Sequence, residues 1–126
     1  MYIAICDNQP EELAHITALL HTWQETYHTS VRWKTFQTAS DLLDTAKKEH
    51  FTLFLLDILM PGINGMAAAK EIRSFDETTT IVFLSTSPSF AYQSYSVQAM
   101  QYLLKPITAE LLFPILDQLS LQEQKG

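Results

Sequence analysis

The sequence predicts an α/β fold, a doubly wound five-stranded parallel sheet with helices on both faces. Five short apolar segments of strand length occur along the chain, helical segments separate them, and the first and third end in an aspartate. Parallel strands need crossover connections, and these are right-handed, so the alternation covers both faces of the sheet. The expected strand order is 2-1-3-4-5, which places the first and third strands side by side.

Length and composition indicate one domain. The chain has 126 residues, of which 47% are hydrophobic, enough for one well-packed core but not for two ordinary domains. We assign residues 1–121 to this domain and interpret 122–126 as a tail. The net charge of −6, without a cluster of Lys or Arg, argues against nucleic-acid binding by this segment. The single cysteine and the absence of a signal-like or membrane-spanning stretch predict a cytoplasmic protein without membrane contact.

The first half of the chain follows a β-α-β-α order. A polar turn separates the first strand from a helix with apolar residues at helical spacing, and acids in its first turn suit the helix dipole. Alternating apolar and basic residues then predict a half-covered edge strand, and Thr38 is suited to cap the next helix. The predicted elements are a strand over 2–6, a helix from 10 to about 28, a strand over 31–36 and a helix from 39 to about 48.

The second half continues the alternation with three more strands. The segment between the fourth and fifth strands is rich in Ser and Tyr and has only a ragged apolar stripe, so it predicts a weak helix. Pro114 lies inside the last helix and permits a kink or a later start there. The predicted elements are strands over 51–56, 81–84 and 101–104, and helices over 66–75, 88–97 and, with Thr108 as its cap, 109 to about 122.

Polar side chains gather at the carboxyl ends of these strands. Asp57 ends a strand that is apolar on both faces, and the Pro, Asn and Gly residues of 60–65 turn the chain directly after it. Asp7 ends the first strand in the same way, so the two acids are expected to meet at the switch point of the sheet. Ser85 and Lys105 follow the fourth and fifth strands and complete the rim.

This set of side chains predicts phosphoryl chemistry with a divalent cation. Two carboxylates about 5 Å apart repel by roughly 3 kcal/mol at an effective dielectric of about 20, and a cation relieves this. Mg²⁺ fits better than Zn²⁺ or Ca²⁺ because the ligands are oxygens, the carboxylates are few, and positions remain for water and phosphate. Asp57 beside Mg²⁺ can then act as a nucleophile and form an acyl phosphate. Lys105 supplies positive charge to the phosphoryl oxygens, and Ser85 donates a hydrogen bond.

Four spaced motifs follow the strand ends. They are Asp7 after the first strand, Asp57-x-x-Met60-Pro61-Gly62-x-x-Gly65, Ser85-Thr86 after the fourth strand, and Tyr102-x-x-Lys105-Pro106 after the fifth. These motifs resemble the receiver domain of two-component response regulators, which has a flavodoxin-like fold. The resemblance covers nearly the whole chain, because the four motifs agree in order and position. Residues 99–107 are most similar to receivers attached to LytTR-type DNA-binding domains.

The resemblance implies a role for each residue of the acidic site. Asp57 accepts phosphate from a sensor histidine kinase, and the backbone carbonyl of Leu59 joins Asp7 and Asp57 in binding Mg²⁺. The chain departs from the family at Asn8, where a second acid usually stands. Asn8 can hydrogen-bond a metal-bound water but brings no charge, so we expect weaker Mg²⁺ binding than in a typical receiver.

The resemblance also implies how the signal leaves the site. Ser85 and Tyr102 form the switch that reports phosphorylation, and Ser85 keeps the hydroxyl of the more common Thr. The Lys105–Pro106 peptide bond is cis. A LytTR-type output makes DNA a partner only through a C-terminal effector domain that controls transcription, with 122–126 at the start of its linker.

Two alternatives remain open at this point. One is a receiver that takes no phosphate and serves as a docking module, which Asn8 favours. The other is a Mg²⁺-dependent phosphatase of the haloacid dehalogenase type. That class needs a second aspartate two residues after the nucleophile. Two residues after Asp7 stands Gln9, and two residues after Asp57 stands Leu59.

Aromatic residues are concentrated between residues 90 and 102. One weak helix and a short strand need fewer for their own core, so some are expected at the surface, although core packing is an equal alternative. Aromatic residues and Met are enriched at interface cores. We therefore predict a homodimer or partner surface formed by the fourth helical segment, the fifth strand and the last helix. Its candidate residues are Phe90, Tyr92, Tyr95 and Met100.

Overall fold

A computed structural model describes residues 1–27 and 29–125, and in this part of the chain the predicted sheet is present. Its strands are β1 (Tyr2–Cys6), β2 (Arg32–Phe36), β3 (Leu53–Asp57), β4 (Thr80–Ser85) and β5 (Gln101–Leu104). Its α-helices are α1 (Pro10–Tyr27), α2 (Ala39–Ala46), α3 (Gly65–Phe75) and α4 (Ala109–Lys125). All neighbouring strands are parallel and their order is β2-β1-β3-β4-β5, which confirms the predicted fold.

Side-chain caps fix where three helices begin. The Thr38 hydroxyl accepts from the amide of Asp41 at 3.1 Å, and Thr108 caps α4 by accepting from the amide of Leu111 at 3.3 Å, both as predicted. The Asn64 side chain accepts from the amide of Ala67 at 2.8 Å, so α3 begins directly after the turn that follows β3.

Helix α4 is continuous over its whole length. Pro114 lies inside α4 without delaying its start. Helix α4 continues to Lys125, past its predicted end at about residue 122, while the division into a domain over 1–121 and a tail or linker over 122–126 stays a prediction. The predicted end of the first helix at His28, and the tail residue Gly126, lie outside the described residues.

The predicted fourth helix is not an α-helix. Residues 88–97 form two 3-10 turns, Pro88–Phe90 and Tyr92–Val97, which we call the 88–97 segment. The hydroxyl of Ser94 donates to the Ala91 carbonyl at 2.6 Å, and Ser96 bonds the carbonyl three residues before it in the same way. Such bonds compete with α-helical ones, and the serine content explains the tighter turns.

The two faces of the sheet carry separate apolar layers. Helices α1 and α4 cover one face, and α2, α3 and the 88–97 segment cover the other. Trp23 of α1 is fully buried, and its indole N–H donates to the Asp117 carboxylate of α4 at 2.9 Å. Tyr27, at the end of α1, is by contrast 50% exposed. None of the described helices is both long enough and apolar enough to cross a membrane.

Candidate functional site

The two predicted acids lie together at the carboxyl edge of the sheet. Asp57 is the last residue of β3, and Asp7 directly follows β1. Cys6 pairs with Leu56 in the register of these neighbouring strands, so the two acids occupy adjacent positions. Both side chains are buried, at 2% exposure for Asp7 and 5% for Asp57. The sheet therefore holds two carboxylates away from water at its switch point.

Lys105 reaches both acids from the end of β5. Its Nζ lies 2.7 Å from Oδ2 of Asp7 and 3.5 Å from Oδ1 of Asp57. Its own amide donates to the Ser85 carbonyl at 2.8 Å, which ties it to the end of β4. The Lys105–Pro106 bond is cis, as predicted. His15 of α1 hydrogen-bonds the carbonyl of Ile107, so α1 contacts the loop that carries the lysine.

Burial and charge shift the pKa values of these groups. Burial, followed by the charge of Asp7, raises the pKa of Asp57, while Lys105 and the Leu59 amide oppose the rise. Burial alone would lower the pKa of Lys105. The hydrogen bond to Asp7 and the charges of Asp57 and Asp7 outweigh that effect and raise the pKa of Lys105 above its ordinary value. The lysine is thus a fixed counter-ion for the acid pair.

Gly65 determines how closely the turn after β3 returns to Asp57. Its amide donates to the Ile58 carbonyl at 2.9 Å, and a Cβ at this position would lie 2.1 Å from the backbone oxygen of Asp57. Gly62 adopts a φ of +76°, which other residues rarely adopt. Sequence reasoning identified both glycines as turn formers but missed the close approach at Gly65.

Both predicted switch residues contact Ser87. Ser85 is fully buried, and its Oγ accepts from the Ser87 amide at 3.1 Å. The Tyr102 hydroxyl donates to the Ser87 carbonyl, and its ring lies 6.4 Å from that of Phe83 in the core. A rotation of the Ser85 side chain would therefore alter a contact of Ser87, the residue that also binds the Tyr102 hydroxyl. Ser87 was not predicted, because it contacts Ser85 and Tyr102 through its backbone, whereas its side chain bonds to Ser89.

The donors around the acid pair fit a hard cation such as Mg²⁺. The site has two acids, Asp7 and Asp57. Among the described residues, no group of three or more His, Cys, Asp or Glu side chains is placed to hold a metal ion. Asn8 is half-buried beside Asp7, whose Oδ1 accepts from the Gln9 amide at 3.0 Å. The backbone of Leu59 lies two residues after Asp57. Carboxylate, amide and carbonyl oxygens are the ligands that Mg²⁺ prefers.

The predicted interface residues separate into two pairs. Tyr92 and Tyr95 are 87% and 80% exposed, and their ring centroids are 6.5 Å apart. With Lys70 of α3 they line an open groove of about 600 Å³. Phe90 and Met100 are half-buried and pack against the two core layers without lining this groove, and their part in an interface stays a prediction. The exposed tyrosines thus border α3.

The comparisons with known proteins agree with this geometry. The sequence profile of the response regulator receiver domain matches residues 3–117, and the chain belongs to this family. It is 37% identical over 76 residues to sensory transduction protein LytT of Oceanobacillus iheyensis, covering 59% of this chain and 31% of that protein. It is 28% identical over 123 residues to the positive alginate biosynthesis regulatory protein of Pseudomonas aeruginosa, covering 95% and 47%. The chain spans less than half the length of these relatives.

Solved structures show the same fold at lower sequence identity. The response regulatory domain of protein mrkE from Klebsiella pneumoniae has a TM-score of 0.86 and 21% identity, with 100% of both chains covered. Response regulator protein TrrA from Thermotoga maritima, in complex with Mg²⁺-BeF, has a TM-score of 0.73 and 23% identity, covering 94% of this chain and 97% of that one.

Proposed function

We propose that this receiver domain takes a phosphoryl group on Asp57 from a sensor histidine kinase. An oxygen of the Asp57 carboxylate attacks phosphorus, the O–P bond forms, and the N–P bond of the kinase phosphohistidine breaks with its electron pair going to the nitrogen. The observation that carries this proposal is the buried Asp57 carboxylate with Asp7 beside it and Lys105 Nζ 3.5 Å away. Receiver domains are in general signalling domains, so the chemistry here is limited to phosphorylation and dephosphorylation of Asp57 itself.

The residues around Asp57 would have separate roles in phosphoryl transfer. Asp7, Asp57 and the Leu59 carbonyl would hold Mg²⁺, with Asn8 acting through water. When bound there, Mg²⁺ offsets negative charge on the carboxylates and phosphoryl oxygens. Lys105, which contacts both acids, would bind an oxygen of the transferred group and would give up part of its contact with Asp7 to do so. The TrrA complex with Mg²⁺-BeF supports this choice of ion.

The signal would leave the site through Ser85. As its hydroxyl turns toward the phosphoryl group, its contact with the Ser87 amide is altered, and with it the support of the Tyr102 hydroxyl. The 88–97 segment, β5 and α4 would then present a changed surface for self-association or partner docking. The regulatory names of the two relatives support an output of this kind. Control of transcription through a C-terminal DNA-binding domain, and a cytoplasmic location, stay predictions.

Phosphate uptake tests the proposal directly. The protein is incubated with acetyl phosphate and Mg²⁺, and intact mass is recorded. We expect one added phosphoryl group that is stable in acid and labile in base, absent from Asp57→Asn and retained in Asp44→Asn, a control at an exposed acid of α2. Full uptake by Asp57→Asn would contradict the assignment. No uptake by the native chain, but uptake by Asn8→Asp, would favour the docking receiver instead.

The output surface has its own test. Sedimentation compares the protein with and without Mg²⁺ and beryllofluoride, and we expect a modest rise in dimer fraction on treatment. Tyr95→Ala should reduce that rise, while Tyr27→Ala, which removes an exposed tyrosine of α1, should not. An equal response in all three proteins would exclude Tyr95 from the output surface.

A further inference from the structure

Arg73 of α3 makes four hydrogen bonds, and all of them go to backbone carbonyls. Its Nε donates to Val97 at 2.7 Å and its Nη2 to Gln98 at 3.2 Å. Its Nη1 donates to Thr79 at 2.7 Å and to Asp76 at 3.3 Å. One half-buried side chain therefore joins the loop between α3 and β4 to the end of the 88–97 segment.

The acceptors at the end of the segment are held in one orientation. Gln98 has a φ of 55°, in the left-handed region that non-glycine residues seldom adopt. Its amide donates to the Tyr95 carbonyl at 3.1 Å, and the Ala99 amide donates to Ser94 at 3.2 Å. Val97 is buried at 2% exposure. The planar guanidinium matches several such carbonyls at once, which a lysine ammonium does not.

The beginning of the 88–97 segment is held differently. It depends on Ser87, whose amide contacts Ser85 and whose carbonyl contacts Tyr102. These contacts lie next to the acidic site, whereas those of Arg73 involve neither Ser85 nor Tyr102. A change at Ser85 therefore acts on one end of the segment and leaves the anchor at the other end in place.

We infer that Arg73 is a positioning residue that anchors the Val97 end of the 88–97 segment. A change at Ser85 then moves the Pro88 end, which is nearer the acidic site, about this fixed point. Tyr92 and Tyr95 lie between the two ends, and the anchor determines where they are displayed. The triggering by phosphate rests on the proposed function, whereas the anchoring does not.

Hydrogen exchange of the full chain, without Mg²⁺ or beryllofluoride, tests the anchor alone. In Arg73→Met we expect the Gln98 and Ala99 amides to exchange at least about tenfold faster, relative to the amides of β1 and β3. Arg73→Lys should recover only part of the protection and serves as the second variant if the methionine protein folds poorly. Lys70→Met, one turn earlier and exposed, is the matched control and should leave these amides unchanged. Equal acceleration in the segment and in the core strands would overturn the inference.

The same proteins with Mg²⁺ and beryllofluoride test the coupling. In the native chain we expect altered exchange at both the Asp57 turn and residues 86–97. In Arg73→Met the Asp57 turn should respond as before and acetyl phosphate uptake should be unchanged, while the response of 86–97 is reduced at least about twofold. An undiminished response of 86–97 would contradict the positioning role. No response at the Asp57 turn of the native chain would count against the proposed function instead and leave the first experiment valid.

Discussion

The acidic site and the 88–97 segment are neighbours joined at Ser87, but different forces hold them. In the acidic site, three charged side chains are nearly excluded from water and contact one another at 2.7 and 3.5 Å. In the 88–97 segment, the buried side chains are Ser94 and Val97, Phe90 packs half-buried against the core, and Arg73 holds the Val97 end by hydrogen bonds to backbone carbonyls. Elements that move in switching come from the less stable parts of a fold. A site held by close contacts between buried charges therefore lies beside a segment with few buried side chains.

Removing the lysine should break the acidic site most severely. Lys105→Met leaves Asp7 and Asp57 buried without their counter-ion, and we expect the free energy of unfolding to fall by about 3 kcal/mol at neutral pH without metal. Urea denaturation measures this. Lys70→Met, which removes an exposed lysine, should change it by less than about 0.5 kcal/mol. Adding Asp57→Asn should restore part of the loss, and a fall no larger than that of the control would refute the counter-ion role.

Restoring the missing acid should act on metal binding more than on the fold. Asn8→Asp adds a third carboxylate, and we expect Mg²⁺ affinity to rise about tenfold while metal-free stability falls. Calorimetric titration gives the affinity. Gln9→Glu places the same charge on the exposed neighbouring residue and should have a much smaller effect. Equal or weaker binding by Asn8→Asp would show that charge at this position does not limit the site.

Removing the charge of Asp57 should stabilise the metal-free protein. The folded-state pKa of Asp57 is raised above its ordinary value of 3.8, so the native protein loses stability as pH rises from 3.8 through the folded pKa. Asp57→Asn avoids that loss, and we expect the free energy of unfolding to rise at neutral pH and this gain to disappear at about pH 3. Urea unfolding at both pH values measures it, with Asp44→Asn as control. A gain that persists in acid would place its origin outside the ionisation of Asp57.

The smallest effect is expected in the segment. Tyr102→Phe removes one hydrogen bond to the Ser87 carbonyl and should cost about 1 kcal/mol or less. Hydrogen exchange should increase in residues 86–90 and stay unchanged in β3. Tyr92→Phe removes an exposed hydroxyl and serves as control. A change spread evenly over both regions would remove the distinction between the acidic site and the segment.

The acidic site was predictable because it depends on topology. Apolar strand patterns identify where strands end, and the 2-1-3-4-5 order brings those ends to one edge. The sequence alone therefore places Asp7, Asp57 and Lys105 together, and their contacts agree with that grouping. The charge of each side chain indicated its role, a cation ligand for the two acids and a partner of phosphoryl oxygens for the lysine.

The 88–97 segment was only partly predictable. The hydroxyls of its serines compete with backbone amides for the carbonyls of an α-helix, and the local sequence does not show which of them bonds. Its apolar residues also lack a regular period, so the directions of the Phe90 and Met100 side chains cannot be deduced. Ser87 and Arg73 were missed because backbone atoms take part in their contacts. Ser87 bonds to Ser85 and Tyr102 through its own amide and carbonyl, and Arg73 donates to backbone carbonyls, one of them 25 residues away at Gln98. Carbonyl acceptors carry no residue type for sequence reasoning to detect.

The strand order also gives the sheet two unequal edges. The β2 edge carries exposed Arg32 and Lys34, and charged side chains on an edge discourage pairing with a second chain. The β5 edge has four residues, none of them charged, and Leu104 there is 46% exposed. When the protein is concentrated or partly unfolded, intermolecular strand addition should therefore begin at β5. An introduced charge at Leu104 is the substitution that would protect this edge without altering the buried acids.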